Sequence, residues 1–78
     1  MSRLPRIRGM QLIAALRGAG FHVVRVKGSH HYLSHPDGRA TVVPVHARET
    51  IGPGLLLKIL HDSEITRAQL VAYLRKRK

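Results

Sequence analysis

Seventy-eight residues fill one domain and leave no room for a second core, and the lack of cysteine excludes a disulfide framework and a thiolate zinc site. Fourteen Lys and Arg against four acids give a formal net charge of +10, more than the ~2–8 that suffices for solubility and a field that favours polyanions. No apolar stretch approaches the ~20 residues a bilayer span needs, and the run Met10 to Leu16 is too short and too helical in period for a signal peptide. The expectation is a soluble, cytoplasmic chain with no membrane association.

Residues 1–8 are basic, with Pro5 opposing a continuous helix, and read as a loose N-terminal arm ahead of a single domain over residues 9–78. From Gly9 the pattern is helical, with Leu12, Ile13 and Leu16 on one face, and Gly20 stands where a left-handed C-cap would end the helix. Phe21 to Lys27 is a Val-rich strand, Gly28-Ser29 a turn, and His30 to Ser34 a second strand. His35-Pro36-Asp37-Gly38 is the clearest turn signal, since Pro36 presets φ, Asp37 bonds its own backbone and Gly38 accepts positive φ. Arg39 to Val45 forms a third strand, with Pro44 at its end or on an edge.

After the loop His46 to Thr50, Gly52-Pro53 opens a helix with Leu56, Ile59 and Leu60 as its core stripe. Asp62-Ser63-Glu64 reads as a break. Thr66 with Gln69 fits a capping box, and Ile65 with Leu70 the accompanying hydrophobic staple, for a short final helix. The order is helix, three-stranded antiparallel sheet, helix, short C-terminal helix: an α+β fold with its helices on one face of the sheet.

The acids Asp37, Glu49, Asp62 and Glu64 form no spaced pair, which argues against carboxylate-driven or two-metal hydrolysis. No Walker loop or G-x-G-x-x-G is present, and no cofactor is expected. Ser29, His30 and Asp37 are neighbours in sequence, which does not make a triad. Aromatic residues are confined to Phe21, Tyr32 and Tyr73, too few for an interleaved stacking platform, so the charge implies phosphate contact rather than base reading.

Histidine is enriched, at positions 22, 30, 31, 35, 46 and 61. Three readings compete. As zinc ligands, His31 and His35 share a strand face, with His46 as a third candidate, but the spacing is not that of a closed site. As structural groups, His22 and His61 suit surface or boundary positions. As an acid or base, His30 is best placed, after the Gly28-Ser29 turn and near Lys27. RNA carries its own nucleophile, the 2′-hydroxyl, so a nuclease needs only a base, an acid and cations on the phosphate. Strand alternation sends His30 and Tyr32 one way and His31, Leu33 and His35 the other. Both faces carry an apolar residue, so which histidine meets solvent stays open.

The chain Gly20-Phe21, Lys27-Gly28-Ser29-His30-His31, His35-Pro36-Asp37-Gly38, Val42-Val43-Pro44-Val45-His46 and Ile59-Leu60 resembles, over residues 8–62, the HicA toxin family of bacterial and archaeal toxin–antitoxin pairs. The resemblance implies a double-stranded-RNA-binding-domain-like fold, ribosome-independent mRNA cleavage and neutralisation by a HicB-type antitoxin. The family's catalytic histidine, directly after Gly-Ser, falls on His30, with His31 a common neighbour. The helix from Thr66 and the tail Arg75 to Lys78 extend past the shortest members. The leading expectation is therefore a type II toxin, a metal-independent endoribonuclease (mRNA interferase). His30 would be catalytic, Gly28, Ser29 and His31 supporting, and Lys27, Arg25 and Arg48 would hold phosphate. The alternatives are a non-catalytic RNA- or DNA-binding module of the same fold, and an interaction protein that docks an acidic partner.

Overall fold

Helix α1 (Gly9–Gly18), strands β1 (His22–Lys27), β2 (His30–Ser34) and β3 (Ala40–Pro44), and helices α2 (Pro53–Ser63) and α3 (Arg67–Lys76) follow in chain order in the computed structural model, which describes residues 4–76. This is the α+β layout expected from the hydrophobic patterning. Among the described residues, no helix is long and apolar enough to cross a membrane.

Helix α1 buries Leu12, Ile13, Ala15 and Leu16. Its first turn is fastened by the Arg8 backbone N–H donating to Gln11 Oε1 at 2.8 Å. It ends as expected at Gly20, with φ +103°. The Gly20 N–H donates to the Arg17 carbonyl and the Phe21 N–H to the Leu16 carbonyl, both at 3.0 Å, the paired bonds of a Schellman closure. Phe21 is thereby delivered into the core, where it is 1% exposed.

The stretch before α1 departs from the loose arm expected over residues 1–8. Ile7 is buried, its carbonyl accepts the Ile51 N–H at 2.7 Å, and Arg8 forms an isolated antiparallel bridge with Thr50. A single isoleucine between two arginines has no periodicity to announce its packing. Residues 1–3, including Arg3, and the tail residues Arg77 and Lys78 lie outside the described residues.

The sheet is antiparallel in the order β1-β2-β3. Its inner face carries the buried Leu33 and Val43, which join Leu12, Leu16, Leu56 and Ile59 of the helices in one core. Among the described residues its outer face is less covered, with Tyr32, Ser34 and Pro44 half-buried and Val42 exposed. The register shifts between Val23 and Arg25, so Val24 is an inserted residue, a bulge that turns the edge strand β1.

The β2–β3 turn is latched to α2. Arg39 Nε donates to Asp37 Oδ2 at 2.8 Å, Arg39 Nη1 donates to the Ser63 carbonyl at 2.6 Å, and the guanidinium lies 5.1 Å from the Phe21 ring centroid. The His35 ring meets Phe21 edge-on at 5.1 Å. The hydrogen bond from Arg39 holds the Asp37 carboxyl below its ordinary range, and that carboxylate in turn raises the guanidinium.

Ser63, expected within a break, instead completes α2. It is fully buried, and its hydroxyl donates to the Ile59 carbonyl at 2.6 Å, which satisfies the group inside the core. The helix closes one residue later at Glu64, with φ +55°. The Thr66–Gln69 capping box forms as expected: Thr66 N–H to Gln69 Oε1 at 2.8 Å and Gln69 N–H to Thr66 Oγ1 at 3.0 Å. Ile65 and Leu70 on either side are both buried.

Candidate active site

The β1–β2 turn positions the candidate catalytic residue. Gly28 has φ +60° while Ser29 does not have positive φ, the pattern of a type II′ two-residue hairpin whose twist matches its strands. Lys27 and His30 are consequently direct cross-strand partners. His30 pairs on its other side with Pro44. The side chains of such a row share a face and stand roughly 4.5–5.5 Å apart at Cβ.

Three rows cross the outer face. The first is Lys27, His30 and Pro44; the second is Arg25, Tyr32 and Val42; the third is His22, Ser34 and Ala40. His30 is exposed, as are Lys27 and Arg25. The question left open by the sequence is thus resolved: His30 meets solvent, and His31 lies half-buried on the inner side between Val26 and Val43.

The His31 ring Nδ1 lies 3.3 Å from the Ser29 carbonyl oxygen, which also accepts the Val45 N–H at 2.7 Å. With Nδ1 protonated, His31 donates to that oxygen and braces the turn from behind. Ser29 thus joins the turn to β3 through its backbone. Arg48 stands apart, exposed in the loop between β3 and α2 at φ +65°.

The other histidines disperse. His22, His46 and His61 are exposed, and His35 belongs to the latch around Phe21 and Asp37. Among the described residues, no group of three or more His, Asp or Glu side chains is assembled to hold a metal ion, so His31, His35 and His46 do not form one.

A groove of about 620 Å³ runs over the outer face from Val24 and His30 past Tyr32 and Val42 to the Leu55 and Lys58 flank of α2. Lys58 Nζ lies 3.0 Å from Asp62 Oδ2 at its far wall. Tyr32 lies on the same side as His30, as strand alternation implies, but is not among the expected site residues. Strand alternation and the two-residue turn were the available signals: counting back from Lys27 opposite His30 puts Arg25 opposite Tyr32, and Val42 meets it from β3. A larger groove of about 830 Å³, bordered by Met10, Ile13, Arg17 and Tyr73, lies between α1 and α3 and has no histidine in its lining.

Helix, antiparallel three-stranded meander and two further helices define a double-stranded-RNA-binding-domain-like α+β fold, with an exposed histidine and two cations on its open sheet face. Residues 9–65 match the family model for the HicA toxin of bacterial toxin–antitoxin systems, and the chain belongs to the HicA toxin family. It is accordingly the toxin of a toxin–antitoxin system, whose counterpart is an antitoxin. A comparison with curated proteins gives no match. Helix α3 lies beyond the matched span.

Proposed function

We propose that this toxin is an endoribonuclease that cleaves mRNA without a metal ion, with His30 as its catalytic residue and a HicB-type antitoxin as its neutralising partner. The observation that carries the reading is the row Lys27, His30 and Pro44, which sets an exposed imidazole beside an ammonium on an open face. The net charge of +10 favours approach of the RNA backbone.

The imidazole of His30 takes the proton of a ribose 2′-hydroxyl. The 2′-oxygen forms a bond to the adjacent phosphorus, and the bond from phosphorus to the 5′-oxygen of the next nucleotide breaks. Water supplies the proton that the departing oxygen needs. The products are a 2′,3′-cyclic phosphate and a 5′-hydroxyl end, and His30 releases its proton to solvent. Lys27 and Arg25, on the same face, offset charge that builds on the phosphate oxygens. Gly28 and Ser29 set the turn, His31 braces it, and Arg48 contacts phosphate further along the strand.

The test incubates purified toxin with mRNA in excess EDTA beside the His30→Ala variant. Cleavage by wild type, and cleavage slower by roughly 100-fold or more by the variant, is expected. Loss of cleavage in EDTA, or wild-type cleavage by His30→Ala, overturns the assignment. The rival, a non-catalytic nucleic-acid-binding module, predicts salt-dependent binding with the RNA left intact.

A further inference from the structure

We infer that the outer sheet face holds a nucleobase subsite, in which one unpaired RNA base stacks on Tyr32 while its backbone passes His30; this rests on the nuclease reading above. Tyr32 and His30 are two residues apart on one strand face, a rise of roughly 7 Å, the scale of one sugar–phosphate unit. Tyr32 sits between Arg25 and Val42 in the register. The Arg25 guanidinium lies 5.8 Å from the Tyr32 ring centroid, so it covers one side of the ring and stands where a phosphate would pass. The other side opens toward Val42, 36% exposed, with Val24, 64% exposed, as a further apolar wall.

An exposed apolar floor is costly in water unless something covers it. Here the floor is bounded by Arg25, Lys27 and Lys58, and the one acid in its lining, Asp62, is already paired with Lys58. A flat aromatic ring flanked by cations fits a planar base joined to a polyanion. A base that stacks on a side chain must first leave its own helix, so the subsite selects single-stranded RNA over duplex. One ring is too little for a stacking platform. It is enough to seat one base beside the cut.

The experiment uses two readouts. In His30→Ala with Tyr73→Phe, Tyr32 is the remaining tyrosine in a chain with no tryptophan, so its fluorescence reports base contact without cleavage. A short unstructured RNA oligonucleotide of mixed sequence is expected to quench it, and the blunt duplex of the same sequence to quench it far less. In the His30-containing protein, Tyr32→Leu is expected to lower cleavage of unstructured RNA by roughly 5- to 150-fold, the range of one base–aromatic stack, while Tyr32→Phe retains it. Removing the base of one nucleotide flanking the cut is expected to cost a similar factor and to abolish the difference between Tyr32→Leu and wild type. Thermal melts of Tyr32→Leu establish that it is folded, and the quenching experiment leaves Tyr32 in place. Equal quenching by duplex and single strand, or wild-type cleavage by folded Tyr32→Leu, overturns the subsite and leaves the nuclease reading standing. Selective quenching without cleavage by wild type upholds the subsite and overturns the nuclease reading.

Discussion

Lys27 and His30 face one another across the two-residue turn Gly28-Ser29, both exposed on the sheet face that the helices leave open. That pairing places a fixed positive charge about one cross-strand spacing from the candidate base. Each partner is therefore expected to matter differently.

His30→Ala should lower kcat by roughly 100-fold or more, the contribution of a positioned general base. Lys27→Ala should reduce kcat/KM about tenfold, the scale of one charge-assisted hydrogen bond. It should also make binding to single-stranded RNA less salt-dependent, by about 0.7 in the slope of log K against log salt per lost phosphate contact. Steady-state kinetics and a salt titration separate the two.

Gly28→Ala should destabilise the fold by about 1–2 kcal/mol, because φ +60° is left-handed. A Cβ at Gly28 would meet no atom within 4 Å among the described residues, so the loss is one of backbone conformation and not of packing. Gly28→Asn should cost less than Gly28→Ala, since Asn tolerates such turns. Urea unfolding of the three proteins checks the order.

Glu64→Gly should stabilise the protein by about 1 kcal/mol. Glu64 ends α2 at φ +55°, with its N–H on the His61 carbonyl and the Ile65 N–H on the Leu60 carbonyl. That closure favours glycine at the left-handed position. A rise in the urea midpoint at unchanged m-value would show it.

Acid should weaken the latch between the β2–β3 turn and α2. Arg39 holds the Asp37 carboxyl below its ordinary 3.8, so the unfolded chain binds the proton more readily than the native one. Asp37 thus contributes stability that is fully present above pH 3.8 and is lost as pH falls through the lower native value. Asp37→Asn should melt below wild type near neutrality, with the gap in Tm narrowing as pH drops below 3.8. A gap that stays constant would show that Asp37 is not the titrating group.

Much of this fold is legible because its boundaries are local chemistry. Gly20, Pro53 and the Thr66–Gln69 pair each act within a few residues of themselves, and each sits where its neighbours imply. What escaped depends on distant partners. Ile7 is held by Ile51, and Ser63 by a core position that also brings its carbonyl to Arg39, 24 residues away. The candidate site divides the same way. The Gly28-Ser29 turn and His30 are visible in the sequence, whereas the side facing solvent needed the helices to cover Leu33 and Val43. The Val24 bulge was equally hidden; it leaves the Arg25–Tyr32 pair, which the turn sets, in place and puts Val23 opposite Leu33 and His22 opposite Ser34.

Strand β1 is an edge, with hydrogen-bonding groups available to an incoming strand. Val24 and Val26, both more than half exposed, would make that margin attractive to another copy. The bulge bends it, and Arg25 and Lys27 stud it with like charges that repel a second chain. The side chains assigned to phosphate therefore also act as gatekeepers against self-association, so stripping both at once would convert a loss of RNA contact into a tendency to aggregate. Light scattering belongs beside any activity measurement on such a double variant.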